Sequence, residues 1–145
     1  MTGPNPKLDE LIATAARLRA PGGCAWDREQ THESLVQYLV EESYELIEAI
    51  ESGSREELIE ELGDVLYQVL FHADIEAEAG SFTLEDVAEH MTAKMVSRHP
   101  HVFGESDTET DAGRRDLSPA QVKEQWEQIK TRERAGTPQR ATLLD

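Results

Sequence analysis

The sequence predicts an all-α fold with about five helices and no sheet. Apolar residues recur at helical spacing in several segments, whereas no segment shows a sustained alternation of apolar and polar residues. Residues that favour helix starts, such as Thr31, Ser54 and Ser118, precede these segments, and glycine follows several of them. A chain of 145 residues with 38% apolar residues is the size of one helical domain.

The first predicted helix covers residues 7–19 and ends at Pro21-Gly22-Gly23. A loop through Cys24-Ala25-Trp26-Asp27 is expected to follow it, because the glycine pair breaks the helical pattern. The helix is amphipathic, and its apolar positions are Leu8, Leu11, Ile12, Ala15 and Leu18.

Two long helices are predicted in the centre of the chain. Thr31 is an N-cap candidate for a helix over about 32–51, and Gly53 lies just past its end. Ser54 and Glu57 have the spacing of a capping box, which opens a second helix running to about Ala79. Since only a few residues join the two helices, they are expected to pack antiparallel as a hairpin.

Two further helices are predicted in the second half of the chain. Thr83 precedes a helix over 84–97, and Ser118-Pro119 opens a last helix that runs to about Arg134. The acidic stretch 104–117 is rich in Gly, Asp, Thr and Ser and is expected to be a mobile loop. We therefore expect one domain over 1–134 and a flexible tail over 135–145.

The charge and cysteine content exclude several classes of partner. Fourteen Lys and Arg residues against 30 Asp and Glu residues give a net charge of −16. Binding to nucleic acid or to an anionic membrane is therefore disfavoured, because both depend on basic residues. The single cysteine, Cys24, excludes an internal disulfide and fits a reducing compartment. No apolar run has the length of a membrane span, so we expect a cytoplasmic protein.

Two acidic pairs in the central helices carry the strongest functional signal. Glu42 and Glu45, like Glu61 and Asp64, are three residues apart and therefore project from one side of a helix. Glu42 and Glu61 also lie on apolar stripes, where an ionised carboxylate is costly unless it is paired or bound to metal. The two pairs are at similar distances from the turn, so they lie opposite each other in an antiparallel hairpin. The four carboxylates are thus predicted to form a site for Mg²⁺ or Mn²⁺.

Basic and aromatic residues in the last two helices are candidates for binding a phosphorylated substrate. Lys94 and Arg98 are four residues apart, as are Trp126 and Lys130. Arginine can bind phosphate through two N–H groups, and lysine supplies a point charge. Trp126 could stack on a base or could be the core aromatic residue of its helix, while Lys94 and Arg98 could also be surface residues.

Five blocks of this sequence resemble the MazG family of nucleoside triphosphate pyrophosphohydrolases. They span about residues 8–134 in the family's order, and Ala25 departs from the family by replacing a frequent proline. The blocks are Cys24-Ala25-Trp26-Asp27 with Gln30-Thr31-His32-Glu33-Ser34-Leu35, Glu41-Glu42-Ser43-Tyr44-Glu45, the stretch from Glu61-Leu62-Gly63-Asp64 to Phe71-His72-Ala73, Arg98-His99-Pro100-His101-Val102-Phe103-Gly104, and Trp126-Glu127-Gln128-Ile129-Lys130.

The resemblance implies a specific fold, reaction and set of roles. The family has an all-α fold on a four-helix core, forms dimers or higher oligomers, and needs Mg²⁺. It hydrolyses nucleoside triphosphates between the α and β phosphates, which yields a monophosphate and pyrophosphate. By motif position, the metal ligands would be Glu42, Glu45, Glu61 and Asp64. Lys94, Arg98 and Lys130 would contact the phosphates, and Trp126 would approach the nucleotide.

Some choices stay open at the level of sequence. Glu41 or one of the ligating glutamates could accept the proton of the attacking water. Gly63 is costly inside a helix and would be explained by a close approach of another helix, or else is a tolerated glycine. His72 could support the carboxylates or be a core histidine. Two alternative functions remain: a dUTP-, dCTP- or phosphoribosyl-ATP-type pyrophosphohydrolase, and a non-enzymatic acidic binding module. A di-iron carboxylate protein is a weak alternative, because it needs Glu-x-x-His pairs on two helices and the sequence has only Glu29-x-x-His32.

Overall fold

The computed structural model of the chain describes residues 4–104 and 117–136. These residues form helices and no strand, which confirms the all-α prediction. The contacts group the chain into two compact units, Met1–Val87 and Ala88–Asp145. The helices are α1 (Pro6–Arg19), α2 (Ala25–Glu29), α3 (His32–Ser52), α4 (Arg55–Glu78), α5 (Leu84–Arg98), α6 (Pro100–Phe103) and α7 (Pro119–Ala135).

The hairpin of α3 and α4 is the centre of the first unit. Thr31 caps α3 by accepting a hydrogen bond from the Ser34 amide, and the Ser34 hydroxyl accepts one from the Thr31 amide. The chain leaves α3 at Gly53, whose φ of 75° is the left-handed conformation that glycine adopts without strain. Ser54 then caps α4, so the two helices are joined by two residues and pack side by side along the predicted hairpin.

Arg19, the last residue of α1, anchors α1 and the following loop to α4. Its guanidinium group donates hydrogen bonds to the Asp27 and Gln30 carbonyls and to the Glu78 carboxylate. The same group lies 5.4 Å from the centre of the Phe71 ring. A cation over an aromatic face, with most of its N–H groups satisfied, stabilises this corner of the unit.

Two local predictions are wrong. The stretch predicted as a loop after Gly23 contains the short helix α2, which begins at Ala25 and packs against α1. The Ser54–Glu57 capping box is only half formed: the Ser54 hydroxyl accepts from the Glu57 amide at 3.3 Å. The Glu57 carboxylate instead accepts a hydrogen bond from the Ser52 hydroxyl at 3.0 Å, because the tight turn brings that hydroxyl within reach.

The second unit contains most of α5 together with α6 and α7. Ser118 and Gln121 form the predicted capping box at the start of α7, with Pro119 in the first turn. The Arg98 guanidinium donates to the Glu133 carboxylate at 3.0 Å, which links α5 to α7. The predicted acidic loop 104–117 and tail 135–145 lie almost entirely outside the described residues, and the single domain over 1–134 stays a prediction.

Few apolar side chains are buried in the part of the chain that the structure describes. The hairpin helices also carry exposed apolar stripes at helical spacing, on α3 at Val36, Val40 and Ile47 and on α4 at Ile59, Leu62 and Leu66. Helix α5 has exposed apolar residues of its own at Val87, Met91 and Met95. The buried apolar residues are Ala15, Leu35, Ala49, Leu70, Phe71, Ala73 and Ile129.

Candidate active site

The four predicted carboxylates meet between α3 and α4. One oxygen from each of Glu42, Glu45, Glu61 and Asp64 lies within 4.8 Å of the corresponding oxygens of the other three. Glu45 is exposed, and the other three are half-buried. The structure thus brings together this carboxylate cluster as the antiparallel hairpin predicts, because the two pairs lie at matching distances from the turn.

Two carboxylates of the cluster are strongly perturbed. Burial, followed by the negative charges of Asp64 and Glu45, raises the pKa of Glu42 from 4.5 to about 7. Burial, followed by hydrogen bonding and repulsion with Glu45, raises the pKa of Glu61 to about 7. Both shifts have the same physical cause, since like charges are held together where water does not solvate them fully.

The cluster has the donor set of a site for hard divalent cations. Glu42 Oε2 and Glu61 Oε2 are buried and have no hydrogen-bond partner among the described residues. A buried carboxylate oxygen without a donor is unfavourable, and a bound cation would satisfy both atoms at once. The carboxylate oxygens are the ligands that Mg²⁺ and Mn²⁺ prefer, and no sulfur or imidazole ligand is part of the cluster.

Two residues adjacent in sequence to cluster members, Glu41 and Gly63, were left open by the sequence. Glu41 is an exposed residue of α3 and is not a member of the cluster. A Cβ atom added at Gly63 would meet no atom within 4 Å. The hypothesis that Gly63 permits a close helix approach is therefore wrong within the described chain, because the glycine faces open space.

The predicted phosphate-binding residues all lie in the second unit. Arg98 is mostly buried beside Glu133, and its Nε atom has no hydrogen-bond partner in the described chain. Lys130 pairs with Glu127 on the same helix at 3.3 Å, and Lys94 is half-buried on α5. The Trp126 ring packs edge-on against the His99 ring, with 5.2 Å between the centres, and stays 37% exposed. Trp126 is thus not a fully buried core residue in this unit.

A second polar group lies on the α3–α4 seam and was not predicted as a site. His32 stacks on His72 with 5.0 Å between ring centres, their Nδ1 atoms are 2.7 Å apart, and His32 Nε2 pairs with the Glu76 carboxylate. His72 therefore contacts His32 and not the carboxylate cluster, and it is only half-buried. The signal in the sequence is the four-residue spacing that continues from Asp64 through Gln68 and His72 to Glu76.

Comparison with known families agrees with this geometry. Residues 30–103 match the family model of the MazG nucleotide pyrophosphohydrolase domain, which is about half of the chain and includes all four carboxylates. The chain belongs to the MazG family. The resemblance predicted from the five sequence blocks is thereby confirmed.

Similar curated proteins carry related descriptions. The MazG domain is 50% identical over 127 residues to a Thermotoga maritima protein described as nucleoside triphosphate pyrophosphohydrolase/pyrophosphatase MazG, covering 88% of this chain and 45% of that protein. It is 40% identical over 140 residues to the nucleoside triphosphate pyrophosphohydrolase of Escherichia coli K12, covering 96% of this chain and 50% of the relative. The chain therefore spans about half the length of these relatives.

None of the described helices is both long enough and apolar enough to cross a membrane.

Proposed function

We propose that this MazG domain hydrolyses nucleoside triphosphates between the α and β phosphates in a Mg²⁺-dependent reaction. The products are a nucleoside monophosphate and pyrophosphate. The observation that carries the proposal is the carboxylate cluster: one oxygen from each of its four residues lies within 4.8 Å of the others, and Glu42 and Glu61 each have a buried oxygen without a hydrogen-bond partner in the described chain. The names of the relatives add the substrate class, and the single cysteine, Cys24, fits a cytoplasmic location.

The protein's own residues divide the work between cation binding and phosphate binding. Glu42, Glu45, Glu61 and Asp64 hold the divalent cations, with Mn²⁺ as a substitute for Mg²⁺. When bound, such cations neutralise the triphosphate and lower the pKa of a water molecule. Lys94, Arg98 and Lys130 supply positive charge to the phosphate oxygens, and Trp126 contacts the nucleotide.

Glu41 accepts the proton of the attacking water in this proposal. Glu41 is exposed, directly precedes Glu42 in α3 and is not a member of the cluster, so its carboxylate is free of the cation-binding role. The alternative base is one of the glutamates of the cluster. A Glu41→Gln variant distinguishes these two hypotheses. If Glu41 is the base, the variant should lower kcat at least tenfold and leave the Mn²⁺ affinity unchanged.

We further propose that two copies of the chain associate through the exposed stripes of α3 and α4. These large apolar residues have exposed fractions between 37% and 55%; they are Val36, Val40 and Ile47 on α3 and Ile59, Leu62 and Leu66 on α4. Contiguous apolar surface of this kind is typical of protein–protein interfaces. Two hairpins joined in this way would complete the four-helix core. Sedimentation velocity of wild type and Ile47→Lys tests this, with a dimer and a monomer as the expected species.

The reaction is tested by product analysis on a panel of nucleoside triphosphates with Mg²⁺ or with EDTA. The expected result is monophosphate plus pyrophosphate from wild type, and none from Glu42→Gln or in EDTA. Glu48→Gln, an exposed change on the same helix outside the cluster, is the matched control and should retain activity. Diphosphate plus phosphate would contradict the assigned bond, and no turnover by folded wild type would favour a binding module.

A further inference from the structure

The short segment 98–101 carries two histidines to which the proposed reaction gives no role. The segment leads from the last residue of α5 into α6, with His99 as the N-cap residue of α6 and Pro100 in its first turn. The side chains of His99 and His101 both contact residues of α7. All of these residues belong to the second unit.

His99 is held by a hydrogen bond to the end of α5. Its Nδ1 atom lies 2.6 Å from the carbonyl oxygen of Met95. Because a carbonyl oxygen only accepts hydrogen bonds, Nδ1 carries the proton in this contact. The His99 amide donates to the Val96 carbonyl at 3.2 Å, one residue short of Met95, and the imidazole binds the Met95 carbonyl in place of that amide. This bond fixes the orientation of the imidazole ring.

The imidazole of His99 in turn contacts the indole of Trp126. The ring centres are 5.2 Å apart and the ring planes meet at 77°, which is the edge-to-face arrangement that aromatic pairs prefer. His99 is half-buried, whereas Trp126 stays 37% exposed. The indole is therefore held on one side while part of its surface remains accessible to a ligand.

His101 binds the residue that directly precedes Trp126 on α7. The Gln125 side-chain amide donates to His101 Nδ1 at 3.0 Å, and both residues are half-buried. The rings of His99 and His101 also lie 5.6 Å apart, measured between their centres. The bond to Gln125 limits rotation of α7 at the position from which the indole projects. Two contacts thus hold Trp126, one on its ring and one on its helix.

The same segment contains Arg98, which the proposed function assigns to the phosphates. The Arg98 guanidinium donates to the Glu133 carboxylate at 3.0 Å, about two turns beyond Trp126 on α7. Arg98 directly precedes His99 in the sequence. The segment therefore connects the side chain assigned to the phosphates with the side chain assigned to the nucleotide.

We propose that His99 and His101 are positioning residues that hold the Trp126 indole in the orientation in which it stacks on the nucleobase. Neither histidine touches the nucleotide: His99 acts through the indole and His101 acts through α7. An indole that is already ordered loses less conformational entropy on binding, so the affinity for nucleotide is higher. An edge-to-face contact changes an equilibrium by about two- to tenfold. This assignment rests on the proposed function, which places Trp126 at the nucleotide.

Two substitutions at His99 separate the positioning of Trp126 from a purely structural role at the end of α5. His99→Phe keeps an aromatic ring against Trp126 and loses the bond to Met95, whereas His99→Asn keeps a donor for Met95 and loses the ring. The measurement is calorimetric affinity for α,β-methylene-ATP with Mg²⁺, because this analogue resists cleavage between the α and β phosphates. We expect His99→Phe to stay within about twofold of wild type and His99→Asn to bind about fivefold more weakly.

Time-resolved fluorescence anisotropy measures the mobility of Trp126 without any ligand. The background is Trp26→Phe, which leaves Trp126 as the single tryptophan and keeps an aromatic ring against Tyr38. The amplitude of the sub-nanosecond indole motion should rise at least twofold in His99→Asn and in Gln125→Leu. Gln128→Leu, an exposed change on the same helix, is the matched control and should leave the amplitude unchanged.

Kinetics on ATP provide the third readout. Stacking on the base stabilises the bound substrate and the transition state equally, so KM should rise about fivefold in His99→Asn and in Gln125→Leu while kcat is retained. Substitutions at two positions keep the test valid if one variant fails to fold. Rescue by Asn and not by Phe, a fall in kcat alone, or unchanged indole mobility in both variants overturns the proposal.

The outcome at Trp126 itself separates this proposal from the proposed function. Trp126→Leu with wild-type affinity for the analogue would overturn both the positioning role and the assignment of Trp126 to the nucleotide. Weaker binding by Trp126→Leu together with wild-type binding by His99→Asn would overturn the positioning role alone. Binding of the analogue that depends on His99 and Trp126, without hydrolysis of ATP, would support the positioning role and refute the proposed reaction.

Discussion

Replacing Glu42 by Gln should stabilise the metal-free protein at alkaline pH. The folded-state pKa of Glu42 is about 7, above its ordinary value of 4.5. A carboxyl group whose pKa is raised by folding contributes its full stability below about pH 4.5 and loses it as the pH rises through 7. At pH 8 the ionised side chain therefore opposes folding, and glutamine keeps the shape while removing the charge.

The size of the effect follows from the geometry of the carboxylate cluster. Two unit charges at the 4.8 Å limit of the cluster repel by about 0.9 kcal/mol in water and about 3.5 kcal/mol at an effective dielectric constant of 20. Solvent screens this site, because Glu45 is exposed, so values near the lower limit apply. We expect Glu42→Gln to raise the free energy of unfolding by about 1–2 kcal/mol, which is roughly 3–6 °C in Tm for a chain of this size.

Urea unfolding in EDTA at pH 8 and at pH 5 measures this effect. Glu42→Gln should be more stable than wild type at pH 8 and nearly equal to it at pH 5, where wild-type Glu42 is mostly protonated. Glu48→Gln is the control, since it removes one charge from the same helix outside the cluster. A Glu42→Gln variant that is less stable than wild type at pH 8 would refute the argument that the carboxylates repel one another.

Three further outcomes follow from the structure. Mn²⁺ affinity, measured by calorimetry, should fall as the pH drops below about 7, because protons compete for Glu42 and Glu61; a pH-independent affinity would contradict those pKa values. Gly63→Ala should raise the urea-unfolding free energy by about 1 kcal/mol, since the added methyl meets open space inside a helix, and a loss of stability would mean that the site is crowded. Gly23→Ala should lower the Tm by several degrees, because its Cβ would collide with the Arg17 and Leu18 carbonyls; an unchanged Tm would show that this turn adapts.

The hairpin was predictable from sequence because its capping residues, its short turn and its two acidic pairs all indicate the same arrangement. Thr31 and Gly53 mark the two ends of α3 and Ser54 marks the start of α4, each to within a residue, and the short turn leaves only an antiparallel arrangement. The two acidic pairs then meet by helix geometry alone. Local rules were sufficient for this part because capping and turn conformation involve residues close in sequence.

The parts that sequence did not predict depend on contacts between distant residues. The stacking of His32 on His72 joins residues 40 positions apart, and the burial of Gln68 depends on what surrounds α4. Neither follows from the periodicity of one helix. The sequence predicted a complete capping box at Ser54, but the Glu57 carboxylate accepts a hydrogen bond from the Ser52 hydroxyl. That contact depends on the conformation of the turn, which the capping pattern does not specify.

The cation site itself can be tested by diffraction from crystals of this domain grown with Mn²⁺ and measured at a wavelength where manganese scatters anomalously. We predict anomalous density between Glu42, Glu45, Glu61 and Asp64, within coordination distance of their carboxylate oxygens. Crystals of Glu42→Gln grown in the same way should show weaker density or none there. An empty carboxylate cluster in wild-type crystals at millimolar Mn²⁺ would contradict the account.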